Sequence, residues 1–162
     1  MFSLCDSHQY KFLNQPLKWT EAQKICRQKY IDLASINGVE DVVMLLNAVD
    51  SNYTGEAFIG LYFKYNSWQW SLTDSEFYKV GETEFRQWGE GQPNNGGGNE
   101  YCVLMSSDGK WSDYPCSNLW YFMCYNGKYQ FPFLYNHKEQ LINQCLKQLH
   151  IYRICILKET YF

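Results

Sequence analysis

At 162 residues, with 46% hydrophobic and 19% charged content, the chain is long enough for one compact domain and too short for two ordinary ones. The formal charge of −3 is unevenly spread, with 9 Lys and Arg against 15 Asp and Glu in residues 1–125 and 5 against 2 in residues 126–162. An acidic body without a basic stripe excludes a nucleic-acid role, an aromatic content of 19% excludes a disordered chain, and no apolar run reaches the roughly 18 residues of a membrane span.

Residues 1–9 read as an N-terminal segment without the basic and apolar regions of a signal peptide. Tyr10 to Leu13 alternates like a short strand. Thr20 is a candidate N-cap for a helix whose apolar face, Ala22, Ile25 and Cys26, runs to Tyr30. Gly38 precedes a second helix, Val39 to Val49, with Val42, Val43, Leu45, Leu46 and Val49 on its apolar face. Phe58 to Tyr62 predicts a buried strand and Trp68 to Trp70 a second, with Asn66-Ser67 as the link. From Thr73 to Asn99 the periodicity fades into a polar stretch containing Gly89-Glu90-Gly91-Gln92-Pro93-Asn94-Asn95 and three consecutive glycines. A structureless run of that length inside a compact domain is usually functional or disordered. Strand character resumes over Tyr101 to Met105, Asp108-Gly109 predicts a tight turn, Lys110 to Asp113 starts another strand, and Leu119 to Tyr125 closes the apolar pattern. Helices first, short antiparallel-type strands after, and a long polar loop between define an α+β class.

Residues 126–162 form a C-terminal tail. Leu141, Ile142, Cys145, Leu149, Tyr152, Cys155 and Ile156 recur at mostly helical spacing without capping signals. Seven cysteines without a CxxC pair point to disulfides rather than zinc or thioredoxin-like chemistry. Asn52-Tyr53-Thr54 is a glycosylation sequon. Both features suit an extracellular protein, secreted or part of a receptor ectodomain.

Residues 10–125 resemble a C-type lectin-like domain. The resemblance rests on Trp19 to Cys26, Leu33-Ala34-Ser35-Ile36, Phe58-Ile59-Gly60-Leu61, Gln92-Pro93-Asn94, Glu100-Tyr101-Cys102, Trp111-Ser112-Asp113, Cys116 and Phe122-Met123-Cys124, in that order. The stretch from Gly81 to Trp88 is also similar to modules of fish multi-lectin receptors and their soluble relatives. The resemblance implies a disulfide-stapled fold with bridges Cys26–Cys124 and Cys102–Cys116. Cys5, Cys145 and Cys155 are left over, with a Cys145–Cys155 pair and a chain-linking Cys5 both open.

It also implies a Ca2+ site that holds a sugar, with Gln92, Asn94, Glu100, Ser112 and Asp113 as metal ligands and Gln92, Asn94, Glu100 and Asp113 touching the sugar. Pro93 would be cis. Calcium takes six to eight oxygen ligands, of which two vicinal sugar hydroxyls can supply a pair. This chain departs from the family pattern twice. Gln92-Pro93-Asn94 carries two amides where sugar-binding members pair one amide with one acid, and Ser112 stands where Asn is usual. With Glu100 and Asp113 the only formal charges, calcium should bind weakly, and sugar choice should be broad with a slight mannose-type tilt. Trp111 is expected in the core, while Trp88 and Tyr114 could stack on a sugar.

The partners implied are glycans or glycoproteins, met as part of a larger receptor or an oligomer. The alternative is a calcium-independent protein-interaction module of the same fold, or an ice-binding member. No enzyme is expected. His8, His137 and His150 lie outside the motif region and no Gly-x-Ser-x-Gly elbow occurs.

Overall fold

The structure, a computed structural model, describes residues 7–74 and 77–129. Cys5 and most of the tail, with its candidate helix, lie outside the described residues. The elements run β1 (Ser7–Leu17), α1 (Trp19–Lys29), β2 (Asp32–Leu33), α2 (Val39–Ala48), β3 (Ala57–Lys64), β4 (Ser67–Trp70), β5 (Glu100–Met105), β6 (Trp111–Pro115) and β7 (Trp120–Tyr129). The fold is α+β. Among the described residues the strands join in the order β1-β7-β3-β5-β6, with β2 added to β7 and β4 to β3. All pairs are antiparallel except β3 with β7.

Both faces of this sheet are buried, and strand alternation shows how. Ile59, Leu61, Val103, Met105 and Met123 pack into a cluster with Val42 and Leu45 of α2. Their neighbours Phe58, Cys102, Leu104, Phe122 and Cys124 pack into another with Trp19, Ala22 and Cys26 of α1. Successive side chains point to opposite faces, so a strand covered by a helix on each side must be apolar throughout. That is why β3 reads as an unbroken apolar run. Gly60 within it serves close packing: its N–H donates to Ala34 O at 2.8 Å, and a Cβ there would stand 3.1 Å from that same oxygen.

Two bridges fasten the sheet. Cys26 is bonded to Cys124, tying α1 to β7 across 98 positions, and Cys102 to Cys116, closing the β5–β6 end across 14. A buried polar network adds to the first. Asp32, 3% exposed, accepts from Arg27 Nε at 3.1 Å, from Ser71 Oγ at 2.6 Å and from the Leu33 N–H at 2.7 Å. A carboxylate out of water is tolerated because each oxygen has a donor.

Several expectations need correction. Helix α1 starts at Trp19, with Lys18 and not Thr20 as N-cap, because Glu21 supplies the cap by accepting the Lys18 N–H at 3.2 Å. Helix α2 ends at Ala48, and Val43 is 37% exposed, so the buried stripe of α2 is narrower than its composition suggests. The β3–β4 hairpin turns on Tyr65 and Asn66, both left-handed (φ 52° and 59°), which frees Ser67 to pair with Lys64. Strands β1 and β7 reach Ser7 and Tyr129, beyond the alternating residues that signal them.

Candidate calcium and sugar site

The site residues come from the loop between β4 and β5 and from the β5–β6 pair. Antiparallel register sets Glu100 opposite Pro115 and Val103 opposite Asp113. The Gln92–Pro93 peptide is cis, and the chain beyond it is left-handed at Asn95, Gly97 and Gly98. Asparagine and glycine are the residues that accept this conformation at low cost.

Asp113 anchors the loop. Its side chain is buried, at 3% exposure for the residue, and its two oxygens accept the backbone N–H groups of Asn94 at 3.0 Å and Asn95 at 2.7 Å. Two amide donors on one carboxylate offset its desolvation and fix the height of the loop over β6. Glu100 holds the other side: its carboxylate accepts from the Gly96 N–H, and its own N–H donates to Asn95 Oδ1 at 3.0 Å. Asn94 Oδ1 reaches the same Gly96 N–H at 2.8 Å. Asn94 and Glu100 thus present oxygens to one point. A Cβ at residue 96 would lie 3.1 Å from Asn94 Oδ1 and 3.2 Å from Glu100 Oε2, so glycine is what lets the two converge.

Gln92 contributes a buried Oε1 that has no hydrogen-bond partner in the structure. Unsatisfied buried acceptors of this kind are uncommon, and a carbonyl oxygen so placed suits a cation. In β6, Ser112 is half-buried between the buried Trp111 and Asp113, so strand alternation sets it on the other face from Asp113. The structure thus brings Asn94, Glu100 and Asp113 together through the backbone of residues 94–96, with Gln92 two positions upstream. Ser112 stands apart. Among the described residues no three His, Cys, Asp or Glu side chains gather, since this donor set has only two acids beside its amides.

Asn95 is the site residue that sequence reasoning missed. It bonds Asp113 through its backbone and Glu100 through its side chain. Its signal was there, in an Asn before Gly at a turn, where Asx hydrogen bonding is expected. Trp111 is 1% exposed and lies in the core. Trp88 packs on it edge to face with ring centroids 6.0 Å apart, and Tyr114 packs on Trp120 at 5.4 Å.

A mixed sheet flanked by two helices, the two bridges, and a polar loop fastened to a strand by its acids define a C-type lectin domain. The family profile "Lectin C-type domain" matches residues 15–126, and the chain belongs to that family, one of lectin domains and not of enzymes. A mannose-binding isoform of C-type lectin from Oxyuranus scutellatus is 35% identical over 125 residues, covering 71% of this chain and 74% of the relative. L-selectin of Mus musculus is 29% identical over 126 residues, covering 75% of this chain and only 32% of its own length. Among solved structures, the C-type lectin CEL-I from Cucumaria echinata superposes with a TM-score of 0.61 at 26% identity, over 80% of this chain and 95% of the other.

Proposed function

We propose that the domain is a calcium-dependent carbohydrate-binding lectin domain, with Gln92, Asn94, Glu100 and Asp113 as the Ca2+ ligands and with Ser112, on the other face of β6, outside that set. The observation that carries the reading is the convergence of Asn94 Oδ1 and the Glu100 carboxylate on the Gly96 N–H, with the unpartnered Gln92 Oε1 two positions before Asn94 in the chain. Oxygen donors on a short loop fit a hard cation. Asp113 is already engaged by two amides and would enter as a partly spent ligand.

Calcium, when bound, offers coordination positions that two neighbouring sugar hydroxyls can fill. The chain's own groups then orient the sugar: Glu100 and Asp113 accept from its hydroxyls, while the Gln92 and Asn94 amides donate to them. With no acid at either amide position, mannose-type and galactose-type sugars are poorly separated, and Asn94 tilts the preference slightly toward mannose. The same reading places the protein outside the cell, with glycans or glycoproteins as partners, as one unit of a larger receptor or of an oligomer, and with residues 10–125 as the domain and 126–162 as a tail. Asn52 would carry a glycan. It is exposed, as is Thr54, while Tyr53 between them packs inward on Phe12 and Tyr121.

Thermal unfolding in chelator and in several millimolar calcium tests the reading. Calcium at 100 times its dissociation constant should stabilise the fold by about 2.7 kcal/mol. Glu100→Gln should abolish the shift. A melting temperature that ignores calcium leaves the calcium-independent interaction module.

A further inference from the structure

A run of aromatic rings leads from the core to the candidate site. Trp111 meets Trp88 at 6.0 Å, Trp88 meets Trp68 at 4.9 Å, Trp68 meets Phe63 at 5.2 Å, and Phe63 lies nearly parallel to Tyr101, with centroids 6.2 Å apart and planes 17° apart. The β3–β4 register explains the middle of the run, since Phe63 and Trp68 are directly opposed across the hairpin. The outer end is open. Tyr101 remains 43% exposed although its ring is stacked, and Phe63 is half-buried.

Tyr101 is also joined to the loop that carries the candidate ligands. It follows Glu100 directly, and its hydroxyl donates to Gly98 O at 2.9 Å. Between this tether and Asn94 the chain is Asn95 and then Gly96-Gly97-Gly98, three successive residues without side chains. Large exposed aromatics are costly to leave in water, and this one is held by a hydrogen bond and a ring contact rather than left to swing.

We propose that Tyr101, backed by Phe63, is a second sugar subsite, which stacks on the face of a pyranose one linkage away from the sugar held at the calcium loop. The inference rests on the lectin reading above and deepens it: the ligand is an oligosaccharide, not a monosaccharide. A pyranose ring has one face rich in C–H groups that packs on an aromatic plane, and Tyr101 is pinned so that little rotamer freedom is lost on binding. The hydroxyl bond to Gly98 O ties the ring to the loop that carries Asn94.

The test is titration of the full chain, in calcium, with methyl α-mannoside and with a linear mannotriose. The parent should bind the trisaccharide more tightly. Tyr101→Ala should weaken the trisaccharide by about three- to tenfold and the monosaccharide by less than about twofold, in keeping with the 0.5–1.5 kcal/mol of an aromatic contact. Tyr101→Phe keeps the ring and should retain most of the gain. The calcium-induced melting shift of each variant, unchanged from the parent, shows that the loop is intact. Equal losses for both sugars, or a parent that gains nothing from the longer ligand while still binding the monosaccharide, overturn the subsite and leave the calcium reading standing. A parent that binds neither sugar overturns both.

Discussion

Asp113 and Asn94 lie 19 positions apart, yet the carboxylate of one accepts the backbone N–H of the other at 3.0 Å, and its second oxygen takes the next amide at 2.7 Å. The acid therefore has work to do before any ion arrives. Asp113→Ala should lower stability in chelator by about 2 kcal/mol, the usual cost of losing hydrogen bonds to a charged group. Glu100→Gln should cost far less in chelator, because the amide oxygen still accepts the Gly96 N–H, and should show its effect only in calcium. Parallel melts of the two variants, with and without calcium, check this separation.

The two bridges should differ in worth. Cys26–Cys124 closes a loop of 98 positions and Cys102–Cys116 one of 14, for which loop entropy gives about 4.7 and about 3 kcal/mol. Replacing the first pair by alanine should therefore destabilise more than replacing the second, by denaturant titration under oxidising conditions. The second replacement should weaken calcium binding more, since its bridge joins β5 just after Glu100 to the chain just after β6.

The ligand set can be moved toward either sugar type. Ser112→Asn restores the long amide on the face of β6 away from Asp113 and should leave the calcium-induced rise in melting temperature unchanged. Gln92→Glu should sharpen mannose binding, and Asn94→Asp should shift preference toward galactose, both read on a glycan array. Strong and exclusive galactose binding by the unaltered domain contradicts the mannose tilt.

Alkaline pH offers a check on the core. Burial, reinforced by Asp41, pushes the Tyr10 phenol well above its usual range, and burial with Asp41 and Asp74 pushes Tyr125 up to about 12. A folded pKa above the unfolded value means that the neutral phenol is what the fold accommodates. This stability is complete below about pH 10 and is lost as pH rises through the folded values. The melting temperature should fall more steeply between pH 10 and 12 in the parent than in a Tyr10→Phe, Tyr125→Phe double variant. Both chains are compared with their own values at pH 8, because Tyr10→Phe also removes the 2.7 Å hydrogen bond to Ser35 O.

What the sequence disclosed and what it hid divide by sequence distance. Gly60 and Trp111 were legible, one inside an apolar run that predicts a buried strand and the other a large aromatic in a strand motif that the family resemblance marks. So was the polarity of the loop, which lacks any period. The contacts that organise the site were not, because Asp113 meets Asn94, and Phe63 meets Tyr101, only after strands from separate parts of the chain pair. The same holds for His8, whose Nδ1 lies 2.7 Å from Asp41 Oδ1 across 33 positions, and for Arg27, Asp32 and Ser71. Val43 was misplaced for a different reason. Composition marks it as apolar, but the helix buries Val42 and Leu45, and a third adjacent position faces out.

Isothermal titration of the unaltered chain with calcium, repeated in the presence of mannose and then of galactose, tests the central claim most directly. The account predicts a single weak calcium site, tightened by either sugar and somewhat more by mannose, and lost in Glu100→Gln. Heat indistinguishable from dilution in all three titrations, from a chain whose melting curve shows it to be folded, would contradict it.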